Sequence, residues 1–250
     1  AKCGSLGRAH QVFDDLRVRN VVSWNTLIAG YVSHGHGKEA LMYFEEMKHK
    51  DEGVFPNPVS FLCALKACGI VRDIEQCEEI HAEISRQGLL RTNVQLGSTL
   101  LDVYAKLGFL DKAQDVFEKL QVRNIVSWNI LISGYVQHGL FHEALNCFVH
   151  MQNEGLFPDE ITFICVLNAC SHAGLVKEGE KLFNEMCIFY YLTPMLEHYM
   201  CMIDLFDKYC PLFVDFKVLM QPNWNSMVNV QPREMRTWMT KDFWMQKTCV

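Results

Sequence analysis

Residues 18–41 read VRNVVSWNTLIAGYVSHGHGKEAL, and residues 122–145 read VRNIVSWNILISGYVQHGLFHEAL. Laying Ala1–Leu41 on Ala105–Leu145 without a gap gives 25 identities in 41 positions, at a register of 104 residues. The match resumes downstream, where Phe61, Cys63, Leu65, Ala67 and Cys68 return as Phe163, Cys165, Leu167, Ala169 and Cys170. The register there is 102, so two residues near Asp51 and Glu52 are extra in the first copy. Self-similarity on this scale marks a repeat architecture before any single motif is weighed. Turn signals divide the copies further, into Val21–Asn57, Pro58–Asn93, Val94–Asn124, Ile125–Asp159 and Glu160–Met195, with another start at Leu196.

Each subunit has room for two helices. In Ile125–Asp159, Val126, Ile130, Leu131 and Gly134 predict a first helix with a narrow apolar and small-residue face, stopped by His138-Gly139. Ala144, Leu145, Phe148 and Met151, opened by Glu143, predict a second helix with apolar spacing of three and four. Glu154-Gly155 and Pro158-Asp159 then punctuate the turn into the next pair. One such pair cannot bury its apolar faces alone, and stacking pairs yields a continuous core. The fold class expected is therefore all-α, an α-solenoid.

Composition narrows the field of functions. Of 250 residues, 50% are apolar and 21% charged, which excludes a disordered chain. The net charge of −6, from 29 acidic and 23 basic residues, argues against non-specific clinging to nucleic acid or anionic lipid. Eleven cysteines without any C-x-x-C read as buried thiols in a reducing compartment. Residues 124–142 and 161–176 lack formal charge, but Ser, Asn, Gln and His interrupt them, so no membrane span and no membrane partner are expected. The first residue is Ala1 and no charged-then-apolar leader is visible, which reads as a soluble chain truncated at its N-terminus.

The chemistry-bearing residues are few. Asn25 and Asn129 follow Trp24 and Trp128 at the fifth place of their repeats. A planar amide can pair with a base edge, or it can cap or cross-link neighbouring helices, and both roles stay open on sequence. His81-Ala82-Glu83 has the H-x-E opening of a zinc deaminase but no P-C-x-x-C downstream, so His81 reads as a packing residue. Cys63 and Cys68, like Cys165 and Cys170, are five apart and fall on different helix faces, out of disulfide reach. His34, His36, His138 and His142 lie at helix boundaries with no acid or Cys partners to complete a metal site. No phosphate loop or nucleophile elbow occurs. The expectation is a non-enzyme with no metal and no cofactor.

The VVSWNTLIAGY and IVSWNILISGY blocks, the F-P-N and F-P-D turns, ALKACG, VLNACSHAGLV and YAKLGFLDKAQDVF together carry a family signature. The chain resembles plant pentatricopeptide repeat proteins of the mixed-length class, well over residues 1–206 and less beyond. That resemblance implies a right-handed superhelix of helix-turn-helix repeats. It divides the chain into a partial short repeat (1–20), a standard repeat (21–57), a long one (58–93), a short one (94–124), a standard one (125–159), a long one (160–195) and a degenerate short one (196–220). A degenerate, extension-like tail (221–250) follows. Within the tail, Arg233, Arg236, Lys241 and Lys247 interleave with Trp238, Phe243 and Trp244, as a partner surface or as a degenerate end.

The same resemblance implies single-stranded RNA as ligand, read one base per repeat by the fifth and last residues on a concave face formed by the first helices. Carried over, Asn129 with Asp159 implies uracil, Asn25 with Asn57 a pyrimidine, and Ser98 with Asn124 adenine. Val22, Gln95 and Val126 would sandwich bases, and Lys2 and Lys106 are candidate phosphate contacts or ordinary surface lysines. Leu62, Ile164 and Met200 stand at fifth places where an aliphatic group cannot read a base edge. First-helix stretches 21–34 and 125–138 contain no Asp, Glu, Lys or Arg, whereas Glu39, Glu45, Glu46, Glu75, Glu78, Glu79, Glu83, Glu178, Glu180 and Glu185 fall in second helices. A groove with so few cations neutralises few phosphates. The implied task is C-to-U editing-site recognition in mitochondria or chloroplasts, the mitochondrion favoured, with editing accessory proteins and a deaminase in trans. A protein scaffold of the tetratricopeptide kind is the alternative.

Overall fold

The computed structural model describes residues 6–49 and 53–209, which are all helix and connecting turn. The expectations for Lys2, for residues 210–220 and for the 221–250 tail lie outside the described residues. The chain divides after His138 into two compact units. The first contains α1 (Leu6–Asp14), α2 (Val21–Ser33), α3 (Gly37–His49), α4 (Pro58–Val71), α5 (Ile74–Arg86), the short α6 (Leu89–Thr92), α7 (Val94–Leu107), α8 (Leu110–Lys119) and α9 (Ile125–Gln137). The second contains α10 (Phe141–Asn153), α11 (Glu160–Ala173), α12 (Val176–Ile188) and α13 (Leu196–Tyr209).

In the first unit α2, α4, α7 and α9 pack each on the next, forming a layer of first helices. The second helices α3 and α8 are each packed against their own first helix and the one that follows. In the second unit α11 packs against α10, α12 and α13. One aromatic contact recurs at these seams, joining a second helix to the fourth residue of the next first helix. Phe13 meets Trp24 with ring centroids 4.7 Å apart, Phe44 meets Phe61 at 5.9 Å, Phe117 meets Trp128 at 4.6 Å and Phe148 meets Phe163 at 5.7 Å, all edge-on. Edge-on pairs add to the burial of large apolar surface. The Arg of each V-R-N triplet covers the seam, Arg19 lying 4.7 Å over Phe13 and Arg123 5.1 Å over Phe117.

The sequence reading of α9 needs correcting. Its buried set is Ser127, Trp128, Asn129, Leu131, Ile132, Gly134 and Val136, whereas Val126 is exposed and Ile130 only half-buried. A first helix packs against both a second helix and a neighbouring first helix, so burial extends round most of its circumference and no narrow stripe describes it. Gly134 marks the closest approach, since a Cβ there would stand 2.9 Å from Ala105 Cβ on α7. The second helix α10 follows the expected pattern at Ala144, Phe148 and Met151, which are buried, while Leu145 is half-buried. One local feature went unread, the short α6, and α13 runs on through Phe206 to Tyr209.

The cysteines are free thiols among the described residues, and Cys63, Cys68, Cys77, Cys170 and Cys187 are buried. Burial pushes the Cys77 and Cys170 thiols up to about 12, leaving them protonated at neutral pH. Among the described residues no helix is long and apolar enough to cross a membrane.

Candidate nucleic-acid interface

The first helices α2, α4, α7, α9 and α11 open with the same local chemistry. The first N–H groups of a helix lack intrahelical acceptors, and a preceding Asn or Asp satisfies them. Asn20 Oδ1 accepts from the N–H groups of Val22 and Ser23 at 3.0 and 2.9 Å. Asn57 Oδ1 accepts from those of Val59 and Ser60 at 3.0 and 3.1 Å. Asn93 Oδ1 accepts from Leu96 at 3.0 Å, Asn124 Oδ1 from Ser127 at 3.0 Å and Asp159 Oδ1 from Thr162 at 2.8 Å. Four of these five caps are closed reciprocally by a hydroxyl at the third helical position: Ser23, Ser60, Ser127 and Thr162. The residues expected to select bases, Asn57, Asn124 and Asp159, are therefore also the N-caps of α4, α9 and α11.

Capping consumes the oxygen and spares the nitrogen. The Nδ2 groups of Asn57 and Asn124 have no partner among the described residues, so these two boundaries keep donors in reserve. An aspartate in the same place caps with one carboxylate oxygen and has only acceptors to offer.

The fifth-position amides lie deeper than the sequence reading implied. Asn25 is 7% exposed and Asn129 8%. Asn25 Nδ2 donates to Asn57 Oδ1 at 3.0 Å, and Ser60 Oγ donates to Asn25 Oδ1 at 2.7 Å. These bonds go to side chains and use one of two N–H groups and one of two lone pairs, so the amide is anchored without being saturated. Ser98 is half-buried, and no hydrogen bond joins it to Asn124.

The second helical position is open in every repeat. Val22 is 65% exposed and Val126 53%, and Val59, Ile161 and Gln95 are exposed as well. Isolated β-branched side chains held in water on the first turn of successive helices form apolar steps beside the caps. Leu62 and Ile164, the aliphatic fifth residues of the long repeats, are half-buried, while Met200 is exposed. Lys106 pairs with Asp102 at 2.7 Å, one helical turn away, which offsets the charge it could offer a phosphate. The acidic residues named above occupy α3, α5 and α12, all exposed or half-exposed.

The opening of α13 departs from the pattern. Met195 has no capping side chain, and its N–H donates to Nδ1 of fully buried His198 at 3.0 Å. With Nδ1 accepting, Nε2 carries the hydrogen and donates to the Glu160 carbonyl at 2.9 Å, so one imidazole does the work that Ser and Asn share elsewhere. His81 is half-buried against Tyr104, its Nδ1 3.0 Å from the phenol oxygen. Burial, reinforced by the charge of Lys119, holds its imidazole below the ordinary range. The unfolded chain therefore takes up the proton first, and stability drains away as pH falls from about 6.5 through the lower folded value. Melting followed at pH 7.5 and pH 5 is expected to show a larger loss for the wild type than for His81→Phe. No group of three His, Cys, Asp or Glu side chains among the described residues could hold a metal ion.

Family models of the PPR repeat family match residues 19–69 and 123–172, and models of the PPR repeat match residues 98–125 and 161–188. The chain belongs to the pentatricopeptide repeat family. It is 40% identical over 208 residues to the chloroplastic pentatricopeptide repeat-containing protein CRR2 of Arabidopsis thaliana, a match covering 83% of this chain and 32% of that one. The chloroplastic protein DOT4 of the same plant is 38% identical over 207 residues, with 83% and 24% covered. The chain thus spans a third or less of the length of these relatives. Among solved structures, maize PPR10 in complex with an 18-nt psaJ RNA element superposes with a TM-score of 0.74 at 20% identity, covering 90% of this chain and 33% of that one. Nuclear protein-only RNase P 2 of Arabidopsis thaliana gives 0.59 at 13%, covering 74% and 42%. Likeness at this identity concerns the fold, an all-α pentatricopeptide solenoid.

The residues missed on sequence were the hydroxyls. The spacing N-x-x-S or D-x-x-T, present at Asn20, Asn57, Asn124 and Asp159, is a capping-box pattern and would have located Ser60 and its counterparts.

Proposed function

We propose that this pentatricopeptide chain selects single-stranded RNA by sequence in a plant organelle and supplies address rather than chemistry. The observation that carries this reading is the cap shared by Asn57 and Asn124: an amide whose oxygen is committed to a helix while its nitrogen is not, with an exposed Val two residues on. Such a unit offers a base both a hydrogen-bonding edge and an apolar contact. PPR10, similar in fold, is described in complex with RNA, and the chloroplastic designation of CRR2 and DOT4 supports an organellar address, with the mitochondrion as the other candidate.

Asn25 with Asn57 takes a pyrimidine, Ser98 with Asn124 adenine, and Asn129 with Asp159 uracil. The repeats at 58–93 and 160–195 stay silent because Leu62 and Ile164 cannot pair. The finer reading places the chain in the mixed-length class and its task in marking cytidines for editing by a deaminase acting in trans. The silent repeats then serve as docking places for accessory proteins.

Selection from a random single-stranded RNA pool tests this. The expected enrichment is pyrimidine, any base, adenine, uracil, from 5′ to 3′, and Asn129→Thr is expected to change preference at the uracil alone. No enrichment by either protein would favour a peptide-binding scaffold instead.

A further inference from the structure

We propose that Ser60, which belongs to a repeat unable to read a base, is the positioning residue that sets the polarity of the base-reading pair one repeat upstream. This rests on the reading of Asn25 and Asn57 given above and adds a residue outside the pair.

The argument starts from the backbone. Main-chain N–H groups can only donate, and those of Val59 and Ser60 converge on one atom of the Asn57 side chain, at 3.0 and 3.1 Å. That atom must be oxygen. The Asn25 atom facing it at 3.0 Å must then be nitrogen, which turns the Asn25 carbonyl oxygen toward Ser60 Oγ at 2.7 Å. Two carbonyl oxygens face the single hydroxyl hydrogen of Ser60, Asn57 Oδ1 at 3.2 Å and Asn25 Oδ1 at 2.7 Å, and the shorter contact takes it to Asn25. Its lone pairs are left to accept the Asn57 N–H at 3.1 Å. The direction of the α4 N-terminus is in this way written into two side-chain amides.

Two bonds are needed to hold an amide plane. One contact to Asn57 pins a point and leaves rotation about it, whereas the second, from a fully buried hydroxyl, stops that rotation. Without the hydroxyl the Asn25 oxygen would be buried with no donor, and an orphaned buried acceptor is costly enough to turn the group toward water or ligand. The clamped pair retains both N–H groups of Asn57 and one of Asn25 for a base. A donor-rich pair suits the unprotonated N3 of cytosine and opposes uracil, whose N3 carries a hydrogen. Loss of the clamp would let Asn25 present oxygen or nitrogen as the base demands.

Ser127 supplies the control. It closes the α9 cap in the same reciprocal way, its backbone N–H donating to Asn124 Oδ1 at 3.0 Å and its Oγ accepting from the Asn124 N–H at 3.1 Å, but it makes no bond to Ser98. Thr162 shows that a threonine hydroxyl fits the same register in α11.

The test uses the full chain and four synthetic single-stranded RNAs that differ only at the nucleotide three places 5′ of the uracil. Wild type and Ser60→Thr are expected to favour cytosine over uracil there by about tenfold. Ser60→Ala is expected to bring the ratio within about twofold of unity, and Ser127→Ala to leave it at the wild-type value. Equal weakening for all four RNAs by Ser60→Ala, or equal relaxation by Ser127→Ala, would reduce Ser60 to a helix cap and overturn the proposal. A second readout needs no RNA. The side-chain amide protons of Asn25, followed by heteronuclear NMR, are expected to exchange slowly in wild type and Ser60→Thr and fast in Ser60→Ala. Unchanged protection in Ser60→Ala overturns the clamp, while protection lost in a protein that binds no RNA upholds the clamp and refutes base reading.

Discussion

Replacing Trp24 with alanine is expected to destabilise the first unit by about 3–5 kcal/mol, the largest single effect foreseen in this chain. Trp24 is fully buried at the α1–α2 seam, edge-on to Phe13 at 4.7 Å and beneath Arg19 at 5.9 Å. Truncation removes the transfer free energy of an indole and leaves a cavity between the two helices. In a repeat array each unit is stabilised chiefly by its neighbours, so the loss should appear as early melting of the α1–α2 end. The measurement is urea denaturation followed by helical circular dichroism. Trp24→Phe is expected to cost much less, because Phe61 and Phe163 fill the same fourth position in their own repeats. A loss below about 1 kcal/mol for the alanine variant would mean that the seam closes over the gap.

The second large effect is functional. Asn57→Asp is expected to reverse the preference at one nucleotide, from cytosine to uracil, while leaving the fold intact. Aspartate is as good an N-cap as asparagine, and a negative charge at a helix N-terminus is favourable. The bonds from Val59, Ser60 and Asn25 all fall on Oδ1, which the substitution keeps. Only Nδ2 changes, from two donors to an acceptor. Discrimination of about 1–3 kcal/mol attaches to a well-placed pair, so the shift should exceed tenfold in relative affinity. Competition binding between RNAs differing only at that nucleotide would register it. Unaltered preference, with an unaltered melting temperature, would show that Asn57 is a cap and nothing more.

Much of the fold could be read directly. The 104-residue register, the H-G stop after α9 and the apolar spacing of Ala144, Phe148 and Met151 are local patterns, and local patterns survive without knowledge of neighbours. The misread face of α9 has the opposite character. Val126 and Leu131 are equally apolar, and which of them meets another helix depends on how α9 lies against α7 and α8. Hydropathy periodicity assumes one buried side, while a helix in the inner layer has at least two.

The candidate site divides along the same line. Asn57, Asn124 and Asp159 could be named from repeat position, because an N-cap is dictated by the residues that follow it within one turn. The depth of Asn25 and its tie to Ser60 could not, since those residues are 35 apart in the chain and meet only where α2 packs on α4. The chain's own order of residues thus specified the helices, their caps and the kind of polar atom at each boundary, all of them short-range consequences of backbone valence. Which amide is held, which way it faces and which apolar side chain stays in water were decided by packing, because hydrogen-bond direction and burial belong to pairs of helices and not to either one alone.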